Sequence, residues 1–171
     1  MQYLIIEIKA RCDNQDLVRK ILKSYNADFK GVDHQIDTYF KVKRGKLKLR
    51  EGSIENCLLF YEREVKKGPK QSKVTRCDSN LNSSLKEVLA RALGVLVVVD
   101  KRREIYFIDN IKFHLDNVKD LGAFVEIEAI DRDGSIGKEK LLEQCKRFLD
   151  LFRIPRENLI SGSYSDLLLT K

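Results

Sequence analysis

The chain has 171 residues and a formal net charge of +7, with 33 Lys+Arg against 26 Asp+Glu, a length that suits one compact domain over residues 1–171 and makes two full domains a squeeze. At 43% hydrophobic and 35% charged it is too apolar for a disordered chain and too charged for a membrane protein, and no apolar run approaches the roughly 18–20 residues that span a bilayer. The opening MQYLIIEIKAR lacks the basic, apolar and small-residue series of a secretion signal, so a cytoplasmic home is expected, and four scattered cysteines with two histidines argue against zinc and disulfide scaffolds.

In chain order, residues 3–11 read as a strand, and 13–25 as a helix with Leu17, Val18, Ile21, Leu22 and Tyr25 at helical spacing behind Asp13 or Asn14 as N-cap. Strands follow at 35–42, 46–51, 57–64 and 74–78. Ser84-Leu-Lys-Glu87 is a capping-box pattern for a short helix that Gly94 would stop. Further strands are predicted at 95–108, 111–116 and 124–130, then a helix at about 136–152 with Leu141, Leu142, Cys145, Phe148, Leu149 and Phe152 on one stripe, ended by Pro155. About eight strands, mostly hairpin-linked, outnumber three helices. The expected class is α+β, a large antiparallel sheet, open or closed, with helices outside it.

The charge is concentrated. Residues 41–76 hold twelve basic and four acidic side chains, a balance of +8 that leaves −1 for the rest. Because strand side chains alternate between faces, Lys46, Lys48 and Arg50 share a face, as do Lys101 and Arg103. Arg63 lies with Tyr61 and Leu59, Glu7 with Lys9, Glu126 with Glu128, and His114 with Lys112 and Asp116. A solvated face normally mixes signs. Like charges grouped this way repel, more strongly when desolvated, and an opposite charge would relieve each group: a divalent cation on the carboxylates Glu7, Asp116, Glu126 and Glu128, a polyanion on Lys9, Lys48, Arg50, Arg63, Lys101 and Arg103. A metal-chelated polyphosphate supplies both.

The segments EIKAR, HQIDTYF with GKLKLRE, YERE, GPKQSK, DKRREIYF, FHLDNVKDLGAFVEIE and SGSYSDLL resemble the CYTH superfamily, the triphosphate tunnel metalloenzymes, and within it the class IV adenylyl cyclase-like proteins, related to thiamine triphosphatase. The resemblance runs from about Glu7 to Leu168. It implies an eight-stranded antiparallel β-barrel with flanking helices, whose inward charges bind a triphosphate with magnesium or manganese. Carried over by position, Lys9, Lys48, Arg50, Arg63, Lys101 and Arg103 grip phosphate oxygens, Glu7 and Lys9 are the expected catalytic pair, and Glu7, Asp116, Glu126 and Glu128 bind metal, with Glu126 and Glu128 the more direct ligands. Ile5 stands where the family's Glu-x-Glu-x-Lys signature has its first Glu, which removes one carboxylate for metal or water.

The reaction that follows is metal-dependent hydrolysis of an organic or inorganic triphosphate, such as ATP, thiamine triphosphate or inorganic triphosphate. The alternative is cyclisation of ATP to cyclic AMP and pyrophosphate, and a second alternative is a non-catalytic polyphosphate or nucleotide-binding module. A nucleic-acid surface on residues 41–76, with Tyr39, Phe40, Phe60 and Tyr61 interleaved, is disfavoured because the motif order puts those cations inside a barrel. The chain is expected to act as a monomer or homodimer, away from membranes. His114 reads as a polar wall residue, Lys66, Lys67, Lys70 and Lys73 as a solvated rim, Asp37 as packing or substrate contact, and Ser163, Tyr164 and Asp166 as the segment that closes the barrel.

Overall fold

The computed structural model describes residues 2–80 and 83–171. Eight strands, β1 (Gln2–Arg11), β2 (Asp28–Phe40), β3 (Lys46–Glu51), β4 (Asn56–Arg63), β5 (Lys70–Asp78), β6 (Val95–Ile108), β7 (Ile111–Val118) and β8 (Gly122–Asp131), close into one barrel in the order β1-β5-β4-β3-β2-β6-β7-β8. Every pairing is antiparallel. The sheet is therefore closed, as the resemblance implied. Eight strands enclose an interior that side chains can fill or that can hold one small ligand.

The helices lie outside. α1 (Gln15–Ser24) starts at Asn14, whose side chain accepts from Leu17 N, and it buries Val18 and Leu22; α3 (Lys138–Leu151) buries Leu141, Cys145 and Phe148. Both cover the outward residues of β1, β7 and β8, namely Ile6, Ile8, Phe113, Leu115, Val125 and Ile127, and Phe113 meets Phe148 edge-on with centroids 4.8 Å apart. The principal apolar core is thus outside the barrel, which leaves the inner face free for polar side chains. The even and odd sets separate as predicted: Ile6 and Ile8 face α3 while Glu7 and Lys9 turn inward.

Four elements, β2, β5, α2 and α4, differ most from expectation. β2 and β5 begin earlier than predicted, at Asp28 and Lys70, because ladder hydrogen bonds extend strands through polar stretches with no alternation to read. α2 (Leu85–Leu93) ends at Gly94 as expected, but Ser84 makes no side-chain cap, so the capping box is not formed there. The formed box is at α4 (Tyr164–Leu169), where Ser163 and Asp166 exchange bonds. The cysteines are unpaired, with Cys12, Cys57 and Cys145 buried and Cys77 exposed.

Candidate active site

Inside the barrel lies a cavity of about 90 Å³, lined by residues from all eight strands and from α4. All of the predicted phosphate-binding cations, Lys9, Lys48, Arg50, Arg63, Lys101 and Arg103, point into it, as do Glu7, Glu126 and Glu128. Lys9 pairs in register with Glu126, and Glu7 with Glu128, so β1 and β8 set two acid-containing rows side by side.

Asp37 anchors the basic wall. Its carboxylate accepts from Lys48 at 2.9 Å, from Arg50 at 2.8 and 2.9 Å, and from Lys101 at 2.7 Å. Burial alone would raise its pKa, yet the facing Arg50, Lys101 and Lys48 hold it well below the usual carboxylate range. Glu55 adds a second carboxylate on the far side of Arg50, and burial pushes the Lys101 ammonium well below its ordinary pKa despite Asp37. A phosphate oxygen placed there would compete with Asp37 for the Lys48, Arg50 and Lys101 donors.

Glu55 is a site residue with no strand pattern to announce it. Asp33 accepts from Ile54 N and Glu55 N at 2.9 Å each and from the Ser53 hydroxyl at 3.0 Å, which folds the loop so that Glu55 binds Arg50 at 3.0 Å and Lys112. Gly52 permits this, since a Cβ there would lie 2.7 Å from the Asp33 carboxylate oxygens. Lys70, expected on a solvated rim, is instead fully buried and donates to the carbonyls of Ile160 and Ser161 at 2.7 and 3.0 Å. Burial, with Arg63 nearby, lowers it to about 8.

The acidic wall is less evenly served. Arg63 bonds Glu7. Asp116 is wholly engaged elsewhere: Arg103 donates two bonds of 2.7 Å to it and the Tyr164 hydroxyl one of 2.6 Å. Its pKa, which burial would raise, falls to about 2 beside Arg103. Asp116 therefore orients Arg103 and Tyr164, and it is not among the groups whose ligand atoms converge. Those are His114, Glu126 and Glu128, whose donor atoms all lie within 4.8 Å of one another. Glu126 also meets Lys9 at 3.4 Å and Arg103 at 3.1 Å. Among the described residues Glu128 has no lysine or arginine ion pair, and burial followed by the neighbouring Glu126 raises it to about 7.

The donor set fits a divalent cation. Two carboxylates one pleat apart supply the oxygens hard cations prefer. His114, 1% exposed, has Nδ1 3.1 Å from Glu126 Oε2, while Nε2 is buried without a hydrogen-bond partner. Burial, with Arg103 nearby, lowers the imidazole to about 3, so it is neutral. A buried ring atom left unpaired is unusual in a folded interior. His114, read from sequence as a wall residue, thus stands in the converging group, and its alternation with Asp116 was the available signal.

The C-terminal segment contributes Ser163 and Tyr164 to the lining of the same cavity. The Lys46 ammonium bonds the Ser163 hydroxyl and Asp166 at 2.6 Å each, and the Tyr164 ring lies 3.9 Å from Lys9 Nζ and meets Phe124 at a 60° tilt with centroids 4.9 Å apart. No described helix is long and apolar enough to cross a membrane.

A protein of Methanocaldococcus jannaschii, provisionally named an adenylate cyclase, is 28% identical over 176 residues, covering 95% of this chain and 97% of its own. A solved Pyrococcus horikoshii structure aligns with TM-score 0.78 at 24% identity over 95% of this chain and 98% of its own. A Hippeastrum protein, provisionally named an adenylyl cyclase and described as revealing a dominant triphosphatase activity, aligns with TM-score 0.61 at 12% identity over 98% and 94%. The CYTH domain matches residues 4–164, nearly the whole barrel and the chain up to the start of α4, and the chain belongs to the CYTH domain family.

Proposed function

We propose that the chain is a divalent-metal-dependent enzyme that hydrolyses an organic or inorganic triphosphate inside its barrel, as one domain over residues 1–171. The observation that carries this reading is one cavity lined by both signs: Lys48, Arg50 and Lys101 gathered on Asp37, and two adjacent carboxylates, Glu126 and Glu128, of which Glu128 makes no lysine or arginine ion pair among the described residues. Membership of the CYTH family and the names of the relatives support it.

In this reading Lys48, Arg50 and Lys101 hold the distal phosphates, while Arg103 and Arg63 fork onto the remaining oxygens and Lys9 sits at the reacting phosphate between Glu126 and Tyr164. Glu126 and Glu128 hold a divalent cation, magnesium or manganese, with Glu7 beside them. Asp116 fixes the guanidinium of Arg103 from behind. A bound cation supplies charge neutralisation and polarisation of the phosphoryl group. The chain's own part is positioning and electrostatic complementarity, which carry most of phosphoryl transfer. Glu7 is the carboxylate assigned to receive the proton of attacking water. The tunnel walls and the closing segment restrict solvent around it.

Cyclisation of ATP is the second reading, favoured by the name of the Methanocaldococcus relative. Incubation with ATP, thiamine triphosphate and inorganic triphosphate, each with magnesium or manganese, separates the readings by product. Orthophosphate with the corresponding diphosphate is expected. Cyclic AMP with pyrophosphate from ATP would replace hydrolysis by cyclisation, and no turnover of any of the three would overturn the enzymatic reading.

A further inference from the structure

We infer that His114 is a direct ligand of the cation held by Glu126 and Glu128, and that this nitrogen donor makes the site favour borderline transition cations such as cobalt or zinc over magnesium. The inference rests on the proposed metal site and names its third ligand and its selectivity.

Three observations carry it. The donor atoms of His114, Glu126 and Glu128 already lie within 4.8 Å of one another. Ligands on opposite sides of a cation with bonds of about 2.0–2.2 Å stand roughly 4.0–4.4 Å apart, so a small side-chain adjustment suffices. The imidazole is buried, with Nδ1 3.1 Å from Glu126 and 3.9 Å from Glu128, and Nε2 is unpartnered. Nδ1 is the nitrogen that faces both carboxylates, so ligation takes the neutral tautomer that carries its proton on Nε2 and leaves the lone pair on Nδ1.

The third observation is the neighbouring wall. Ile5, 5% exposed, lines the same cavity two residues before Glu7 on the same face, and it pairs in register with Ile130 on β8. The wall is hydrocarbon at that level of the barrel. The converging set is one nitrogen and two carboxylates rather than oxygen alone. Magnesium demands oxygen ligands in near-octahedral order and sheds water reluctantly, whereas imidazole suits later first-row cations, whose affinities rise towards copper.

The test measures binding to the metal-free full chain, using CoCl2 and MgCl2 as probes in calorimetric titrations of wild type, His114→Gln, Glu128→Gln and His34→Gln. Cobalt is paramagnetic, so a coordinated imidazole also gives hyperfine-shifted proton resonances. The chain has only two histidines, and His34 is 64% exposed in its side chain, paired with Asp100, which makes the assignment unambiguous.

Cobalt is expected to bind at least about tenfold more tightly than magnesium. His114→Gln should lose the shifted resonance and about tenfold or more of cobalt affinity while changing magnesium affinity about twofold at most. His34→Gln should retain both. A shifted resonance that is absent from wild type, or a cobalt-to-magnesium ratio unchanged by His114→Gln while Glu128→Gln weakens both cations, overturns the inference and leaves the carboxylate site standing. Cobalt and magnesium binding untouched by Glu128→Gln overturns the metal site itself. Far-ultraviolet circular dichroism and urea midpoints establish that each variant is folded.

Discussion

Glu126 and Glu128 stand two residues apart on the same face of β8, and their neighbours treat them differently. Glu126 has Lys9, His114 and Arg103, which outweigh burial and hold it well below the usual carboxylate range. Glu128 is raised to about 7 by burial and by Glu126, against about 4.3 for an unfolded glutamate. Between those pH values the folded chain keeps a proton that the unfolded chain has lost. This group's contribution to stability is therefore fully present below about pH 4 and is lost as pH rises through 7, at about 1.4 kcal/mol per unit. Glu128→Gln should make the metal-free protein more stable than wild type at pH 8 by a few kcal/mol at most, with the gap closing near pH 4. Thermal unfolding in EDTA measures it, and a lower melting temperature for the variant at pH 8 would contradict the assignment.

Most of the lining was legible at this scale, because period-two alternation assigns a face without reference to any partner. Lys48 with Arg50, Lys101 with Arg103 and Glu126 with Glu128 all follow from it. Glu55 was not legible, since a loop residue acquires its direction from Asp33, far away in sequence. Lys70 was misread for a related reason: Gly68-Pro69 before it suggested a loop, whereas the carbonyls of Ile160 and Ser161 reach it from the other end of the chain. His114 needed Glu126 and Glu128 on the neighbouring strand before it stood out.

Among the elements, α4 is the one the sequence least announced, being only six residues long, too short for a helical period to be read. Its start is held by the Ser163 hydroxyl, which accepts from Asp166 N and also receives the Lys46 ammonium. Ser163→Ala removes the cap and one Lys46 partner together. The expected cost is about 1 kcal/mol, with faster amide exchange in α4 and unchanged exchange in β7 and β8. Equal acceleration throughout the barrel would mean that the closing segment is not a separate unit of opening. Strand existence was predicted better than strand length. β6 matches at both ends, because Gly94 and the Asp109-Asn110 turn bracket it, while β2 starts seven residues early where no such punctuation occurs.

For the whole molecule, the charges inside the barrel make stability depend on acid. Asp37, Glu55 and Glu126 lie well below the usual carboxylate range, and Asp116 falls to about 2. Depressed folded values against unfolded ones near 4 mean that their contribution is present above about pH 4 and is lost as pH falls through the folded values. Cooperative unfolding between about pH 4 and 2 is expected, followed by circular dichroism, and it should move to lower pH in Asp37→Asn only if Asp37 carries no net stabilisation. The +7 net charge first suggests an external polyanion surface. The structure turns part of its basic complement inward, with Lys48, Arg50 and Arg63 on the barrel's inner face against Asp37, Glu55 and Glu7.

Closure of the ring also imposes an order on how it can be made. β1 pairs with β5 on one side and with β8 on the other, bringing Leu4 against Asp131. During synthesis the earliest strand to emerge must wait for the last, and such distant pairing costs loop entropy before any contact repays it. Until β8 arrives, the sheet has two free edges, Glu126 and Glu128 are absent from it, and its cationic face is open to water. The binding chamber is therefore a late product of folding, and a chain halted before Gly122 carries most of its basic lining without Glu126 and Glu128.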